Sequence, residues 1–244
     1  MASILGPDEL ERLRGYSTCT IANAIELFRL RPPAQGLLHP AIRCFFPELG
    51  GLIGYAVTSR IQARQPASGN LNAPMYDYWD YAQNTAQHTG APCIAVVQDL
   101  DPEPVGALWG DVNANVHRAM GFRGAVTNGG VRDLPGSRQA GFHFFGGAVL
   151  TSHAHVHFVD YDTPVEVGGV VVHPGDLLHG DQHGVVVIPA EVAPELAQVC
   201  EHIERREQEI IRYCQSPGFT LDGLKATRDA AHRRWPGRPP AQRE

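Results

Sequence analysis

Gly110-Asp-Val-Asn113, Gly124-Ala-Val-Thr127 and Asn128-Gly-Gly-Val-Arg-Asp133 follow one another within a single stretch of the chain. The first segment opens a short helical pattern that Gly121 ends, and the second is an apolar run typical of a buried strand. The third turns the chain at its two glycines and ends on two opposite charges. A helix start presents free backbone N–H groups at the positive end of its dipole, which suits a carboxylate or phosphate. The stretch therefore predicts a compact anion and metal site.

The pair Arg132-Asp133 has a simpler interpretation when it is taken alone. An adjacent arginine and aspartate commonly form a surface ion pair that contributes little stability. The ordered pattern around the pair favours a functional site instead. A hard carboxylate completed by water is the ligand set of Mg²⁺ or Mn²⁺, whereas zinc would require more nitrogen or sulfur ligands.

The pattern has three parts in a fixed order along the chain. Gly110-Asp-x-x is followed by Gly124-x-Val-x-x-Gly-x-Val-Arg-Asp133, and Pro174-Gly-Asp176 with Asp181-x-x-Gly-Val185 comes last. This succession resembles the RraA-like family, and the resemblance runs from about Thr18 to about Pro189. The family includes metal-dependent 4-hydroxy-4-methyl-2-oxoglutarate aldolases, oxaloacetate decarboxylases and a protein regulator of ribonuclease E. The ordered set is far more specific than any one of its parts.

The resemblance implies a role for each matching residue. The substrate-binding backbone loop falls on Gly110, Asp111, Val112 and Asn113, the substrate arginine on Arg132, and the carboxylate that holds Mg²⁺ or Mn²⁺ on Asp133. In that picture Arg132 stabilises developing negative charge and Asp111 orients a water molecule. The resemblance also implies an α/β fold, a mixed-sheet α-β-β-α sandwich of the swivelling β/β/α type, and a homotrimer with active sites at subunit boundaries.

The sequence therefore predicts a metal-dependent lyase that cleaves a 4-hydroxy-2-oxo acid with release of pyruvate, or decarboxylates oxaloacetate. Both reactions generate an enolate, whose charge needs a Lewis acid and a nearby cation. No lysine near the motif offers a Schiff base, and the first choice for the general base is a water activated beside Arg132. The alternative is a non-catalytic regulator of a ribonuclease or helicase, which would need neither Arg132 nor Asp133. A methyltransferase has no support, because no strand-linked glycine fingerprint appears.

Two features depart from the family pattern or stand outside it. Asn128 occupies a position where many relatives carry Asp. The run Ser152-His-Ala-His-Val-His157 places three histidines at alternate positions, and the alternation predicts a strand with all three on one face. Such a set could bind a transition metal, line a subunit contact or form hydrogen bonds in a wet groove. We assign the metal to Asp133 and a packing or interface role to the histidines. Asp176 and Asp181 lie beside glycines and are interpreted as architectural turn residues.

The amino-acid composition limits the kinds of partner that the chain is expected to bind. The 244 residues carry a formal net charge of −6 and no basic stripe, so neither DNA binding nor bulk attraction to RNA is expected. Five widely spaced cysteines fit neither a disulfide framework nor a CxxC zinc site. The N-terminus lacks the features of a signal peptide and no stretch approaches a membrane span in length. A cytoplasmic protein without membrane contact is the simplest expectation.

The pattern of apolar residues predicts one α/β domain over residues 1–215 and a C-terminal extension over residues 216–244, intersubunit or partly disordered. Periodicity and cap residues predict helices that begin at Ser17 or Thr18, at Asn72, at Asp111 and near Glu191, with a helical turn around Arg138. Apolar runs predict strands at 52–61, 93–97, 124–127, 143–145, 149–151, 156–159 and 185–188, and Gly168-Gly169 predicts a hairpin turn.

Overall fold

A computed structural model describes residues 4–67 and 72–233 of the chain. The helices are α1 (Pro7–Arg14), α2 (Thr18–Phe28), α3 (Asn72–Thr89), α4 (Asp111–Ala119), α5 (Leu134–Gln139), α6 (Ala193–Cys214) and α7 (Leu221–Arg233). A short 3₁₀ helix spans Pro47–Leu49. The strands are β1 (Arg43–Cys44), β2 (Leu52–Gln62), β3 (Cys93–Asp99), β4 (Ala107–Trp109), β5 (Phe122–Thr127), β6 (Gly130–Val131), β7 (His143–Gly146), β8 (Ala148–Val149), β9 (His157–Tyr161), β10 (Val165–Val167), β11 (Val170–Val172), β12 (Leu177–Asp181) and β13 (Gly184–Ile188).

The main sheet is mixed, as the sequence predicts. Its strand order is β1-β7-β5-β3-β2-β12-β13, and β9 also pairs with β2. The four strands β7, β5, β3 and β2 run parallel, whereas β1, β9, β12 and β13 pair antiparallel with their neighbours. A second sheet, β4-β6-β8, is parallel throughout, and β10-β11 is a hairpin.

The two faces of β2 belong to different parts of the core. Ile53 and Tyr55 pack with α1, α2 and α6, and Val57 packs with the aromatic residues beneath α3 and α4. Leu52 and Ala56, at the alternate positions, pack with the β10-β11 hairpin on the opposite face. Helices therefore cover one face of the sheet and the hairpin covers part of the other, which confirms the predicted mixed α/β layers.

Local sequence signals explain several element boundaries. The Ser17 side chain accepts a hydrogen bond from the Thr20 amide and caps α2, as predicted. Gly168 and Gly169 both have positive φ, 57° and 73°, which is the backbone that a two-residue hairpin turn requires. α6 begins two residues after the predicted start near Glu191 and ends at Cys214.

Some elements differ from the sequence-based prediction. α1 and β12 were not predicted, and the strand predicted at 149–151 ends at Val149. Within the predicted extension, α7 packs on α6 and its Ala231 is buried. Residues 234–244, which hold the rest of that extension, lie outside the described residues, so the boundary at 215 stays a prediction. All five cysteines are free thiols. Among the described residues no helix has both the length and the apolar character needed to cross a bilayer.

Candidate functional site

Three of the segments singled out in the sequence, residues 110–113, 132–133 and 153–157, line one cavity of about 470 Å³. One part of its wall comes from the start of α4 and from the residues that follow β6. Another part comes from the histidine-rich segment that precedes and opens β9. The lining residues are Met75, Ala107, Leu108, Gly110, Asp111, Val112, Asn113, Arg132, Asp133, His153, Ala154, His155, Val156, His157 and Phe158.

Parallel pairing explains why Gly110 and Arg132 are neighbours. β4 ends at Trp109 and β6 ends at Val131, and these two residues are paired in the parallel sheet. The carboxyl ends of adjacent parallel strands lie at the same edge, so the residues that follow them are brought together. The Arg132 amide donates to the Trp109 carbonyl oxygen at 2.8 Å and extends the pairing into the site.

The start of α4 presents backbone N–H groups that have no partner within the helix, at the cavity wall. Gly110 is the N-cap, in extended conformation, and the first helical hydrogen bond joins the Ala114 amide to the Gly110 carbonyl oxygen. The amides of Asp111, Val112 and Asn113 precede that bond and have no partner within the helix. The Asn113 side chain donates to the Leu108 carbonyl oxygen at 2.7 Å and ties the helix start to β4.

Asp133 lies directly against the helix start. A Cβ atom at Gly110 would lie 2.6 Å from Asp133 Oδ2, so a side chain at this position would displace the carboxylate. Asp133 itself adopts left-handed backbone (φ 52°, ψ 41°), a conformation that aspartate tolerates better than most residues. Its Oδ2 atom is 3.4 Å from Arg132 Nε, and the two side chains are 44% and 33% exposed. The pair is thus open to the cavity and available to a ligand.

Asp111 lies against α5. A Cβ atom at Gly136 in α5 would lie 2.8 Å from Asp111 Cβ and 3.0 Å from Asp111 Oδ2. α5 therefore packs against the Asp111 carboxyl group. The two carboxylates, Asp111 and Asp133, line the same cavity from the first residue of α4 and the N-cap of α5.

A buried polar chain beneath α4, not predicted from the sequence, supports the site. His117 Nδ1 donates to the Asn113 carbonyl oxygen at 2.8 Å, which leaves Nε2 to accept from the Tyr78 hydroxyl at 3.2 Å. Burial lowers the pKa of His117 to about 4 and raises the pKa of Tyr78. Both groups are therefore neutral at pH 7 and fix α4 against α3. The spacing of Asn113 and His117, one helical turn, is the sequence signal that could have suggested the contact.

The prediction of one histidine-bearing strand is wrong. His153 and His155 precede β9 in irregular and turn backbone, and only His157 belongs to the strand. Ala154 between them has a positive φ of 46°, which breaks the extended backbone that alternation requires. All three histidines nevertheless line the candidate cavity, a placement that the sequence reasoning missed.

Three further residues from the sequence analysis have structural partners. The Asn128 amide accepts from the Asp99 N–H at 2.7 Å and donates to the Asp99 carbonyl oxygen at 2.8 Å, so it ties the ends of β3 and β5 together. Asp176 accepts from the His173 amide within its turn, and Asp181 accepts from the Thr18 amide at 2.9 Å. These hydrogen bonds agree with an architectural role for both aspartates.

The donor set fits an oxygen-loving cation and not a structural metal centre. Within residues 4–67 and 72–233, no three His, Cys, Asp or Glu side chains are grouped so as to hold a metal ion. Asp133 is exposed to the cavity, and the Asp111 carboxylate also lines it. Mg²⁺ commonly takes one or two protein carboxylates and completes its shell with water and substrate oxygens. The residues present therefore fit such an ion.

Two relatives match this chain over shares of different size. A protein of Halalkalibacterium halodurans, provisionally named 4-hydroxy-4-methyl-2-oxoglutarate aldolase, is 30% identical over 105 residues, which are 43% of this chain and 50% of that protein. Protein DlpA of Legionella pneumophila is 23% identical over 225 residues, which are 88% of this chain and 33% of DlpA. The chain thus spans half or less of the length of these two relatives.

Solved structures share the fold over most of the chain. An uncharacterized protein from Pseudomonas syringae pv. tomato str. DC3000 superposes with a TM-score of 0.70 at 21% identity, over 93% of this chain and 97% of that chain. Streptomyces coelicolor RraAS2, described as an unusual member of the RNase ES inhibitor RraA protein family, gives a TM-score of 0.66 at 22% identity, over 84% and 96% of the two chains. These likenesses show the fold. The sequence profile of the RraA-like family, Aldolase/RraA, matches residues 18–187, and the chain belongs to that family.

Proposed function

We propose that the chain is a divalent-cation-dependent carbon–carbon lyase. Its substrate would be a 4-hydroxy-2-oxo acid, cleaved to pyruvate and a second carbonyl compound, or oxaloacetate, decarboxylated to pyruvate. The observation that carries the proposal is the convergence of the α4 amides, Arg132 and Asp133 on one cavity. The name of the H. halodurans relative agrees with the first reaction.

The chain's own groups suit an anionic oxo acid. The amides of Asp111, Val112 and Asn113, which have no partner within the helix, would receive the substrate carboxylate, because they lie at the positive end of the α4 dipole. Arg132 lines the same cavity and would face the negative charge that develops on the oxo group as the carbon–carbon bond breaks. Asp111 would orient a water molecule near that charge.

Asp133 would hold Mg²⁺ or Mn²⁺. When bound, the cation would supply Lewis-acid stabilisation of the enolate. Asp133 suits this role because its carboxylate is open to the cavity and pairs only loosely with Arg132, at 3.4 Å.

A pyruvate-release assay tests the proposal. Purified full-length protein is incubated with a panel of 4-hydroxy-2-oxo acids and with oxaloacetate, first after EDTA treatment and then after addition of Mg²⁺ or Mn²⁺. We expect activity to disappear in EDTA and to return with either cation. Full turnover in chelator, at a metal content well below one ion per chain, would contradict cation dependence. Absence of pyruvate release from every substrate would favour the regulatory alternative, which requires neither Arg132 nor Asp133.

We also infer a reducing compartment, the cytoplasm, because the five free cysteines are spread over the fold and two of them, Cys93 and Cys200, are buried.

A further inference from the structure

The aldol reaction needs a proton acceptor that decarboxylation does not need. Cleavage of a 4-hydroxy-2-oxo acid removes the proton of the C4 hydroxyl, whereas oxaloacetate loses CO₂ from an already ionised carboxylate. One wall of the cavity, formed by the start of α4 and by Arg132 and Asp133, provides amides, a guanidinium and carboxylates, and all of these groups already have other proposed roles. The wall formed by residues 153–158 offers imidazoles.

His157 is the best fixed of these imidazoles. It is half-buried, whereas His153 and His155 are exposed. It is also the first residue of β9, where it pairs with Gln62 of β2. A side chain on a sheet is held more precisely than one on a loop, and precise placement favours proton transfer.

The hydrogen bond of His157 selects its tautomer. Nδ1 lies 2.8 Å from the carbonyl oxygen of His155, and a carbonyl oxygen can only accept. Nδ1 therefore carries the proton in the neutral ring. The lone pair is then on Nε2, so the neutral imidazole is ready to accept a proton at that atom.

We propose that His157 Nε2 is the general base for aldol cleavage; this inference rests on the proposed lyase function. Nε2 takes the proton of the C4 hydroxyl, and the C3–C4 bond breaks as the C4–oxygen bond becomes a carbonyl. The electron pair of the broken bond passes to the pyruvate enolate beside Arg132. The enolate takes a proton from solvent water, and the imidazolium releases its own proton to solvent, so the products are pyruvate and one carbonyl compound.

The test compares two reactions in one variant. His157→Asn keeps an amide N–H that can donate to the His155 carbonyl oxygen, but it removes the Nε2 atom. We expect 4-hydroxy-4-methyl-2-oxoglutarate cleavage to fall about 10²–10⁴-fold, the usual contribution of a general base. Oxaloacetate decarboxylation should stay within about threefold, because that reaction needs no base. Pyruvate release is measured for both substrates with saturating Mg²⁺.

His88→Asn is the matched control. His88 Nδ1 also donates to a carbonyl oxygen, that of Asn84 at 2.7 Å, but His88 is exposed on α3 and does not line the cavity. The His88→Asn substitution should leave the rates of aldol cleavage and of decarboxylation unchanged. Circular dichroism and the thermal midpoint check folding, and His157→Gln gives the same comparison if the asparagine variant does not fold.

The remaining outcomes contradict either the role of His157 or the lyase proposal. Equal losses on both substrates would show that His157 is only structural. Near-native aldol cleavage in His157→Asn, or a large selective loss in His155→Asn instead, would also refute the assignment. Decarboxylation without aldol cleavage in the unmodified protein would refute the base while leaving the lyase proposal intact. Absence of both activities would refute the lyase proposal itself.

Discussion

Arg132 and Asp133 are adjacent in the chain, yet the proposed reaction gives them separable effects. Arg132 faces charge that develops only in the transition state, so Arg132→Ala should lower kcat about 10²–10³-fold. It should leave Mg²⁺ or Mn²⁺ binding within a few-fold of the unmodified protein. Asp133→Ala should abolish cation binding together with turnover. Steady-state kinetics and calorimetric titration with Mn²⁺ measure the two effects.

Arg138→Ala is the control for the arginine. Arg138 lies six residues further along, in α5, its side chain is 62% exposed, and it pairs with Glu48 at 3.4 Å outside the cavity. Its removal should change neither rate nor binding. Near-native turnover in both site variants would show that the reaction takes place elsewhere.

The sequence motif predicted that Gly110, Arg132 and Asp133 belong to one site, but not the contacts that bring them together. The Gly-Asp-x-x pattern singles out Gly110, whereas its place beside the Asp133 carboxylate, where an added Cβ atom would lie 2.6 Å from Oδ2, depends on pairing between β4 and β6. That contact joins segments more than twenty positions apart, so no local pattern encodes it. In the sequence His157 is one of three alternating histidines. Its place in β9 and its lower exposure distinguish it, and both depend on a turn at Ala154 that alternation does not predict.

Among the elements, the β3 and β5 strand ends are joined by the side chain of Asn128. Asn128 both accepts from and donates to the backbone of Asp99. An ionised aspartate at this position could not donate, and it would lie near the Asp99 carboxyl group, whose pKa burial already raises. Asn128→Asp should therefore reduce the free energy of unfolding by about 1–3 kcal/mol, the cost of an unsatisfied buried polar group. Urea denaturation at pH 7 measures the change.

Asn84→Asp gives the comparison for that prediction. Asn84 is exposed on α3, where a charge can remain hydrated, so a change within about 0.5 kcal/mol is expected. If Asn128→Asp is as stable as the unmodified protein, the amide bridge does not contribute to the joining of β3 and β5.

Elements with strong local signals were predicted well. Ser17 caps α2, Gly168-Gly169 turns the hairpin, and the apolar run at Cys93 forms a central strand. α1 was missed although Pro7 stands at its start and Glu9 accepts from the Gly6 amide. β12 ends in Gly180-Asp181, a pair that resembles a turn, and its strand conformation depends on pairing with β2 and β13. Tertiary pairing, not propensity, decides that segment.

For the whole molecule, we expect a homo-oligomer whose contacts help to build the active site. Val112 is 72% exposed at the start of α4, where the predicted substrate loop lies, and Val149 is 54% exposed in β8. A cyclic assembly places each such surface against the next subunit, so a neighbour can complete the cavity. Light scattering at micromolar concentration should report about three times the 26.5 kDa chain mass, or a multiple of that trimer. A stable and fully active monomer would refute the shared site.

The strand order of the main sheet could not be predicted from the sequence. Alternating helices and apolar strands indicated a mixed α/β fold, and family resemblance indicated its layers. Neither predicted that β2 would pair with β12 at its start and with β9 at its end. The buried histidines were also missed, because burial depends on how the layers close over them.

Those histidines predict how stability depends on pH. Burial lowers the pKa of His117, His143 and His179 to about 4, from 6.5 in the unfolded chain. Between pH 6.5 and about 4 the unfolded chain binds more protons, so the free energy of unfolding must fall as pH falls through this window. Each histidine contributes a slope of at most about 1.4 kcal/mol per pH unit.

Chemical denaturation between pH 7 and pH 5 measures this slope. His143→Gln removes one titrating group, so its slope should be smaller by at most about 1.4 kcal/mol per pH unit. His143 is suitable because its Nδ1 atom is buried and has no hydrogen-bond partner among the described residues. His88→Gln, on the exposed surface of α3, should leave the slope unchanged. A free energy of unfolding that is constant from pH 7 to pH 5 would mean that the three histidines can be protonated without opening the fold.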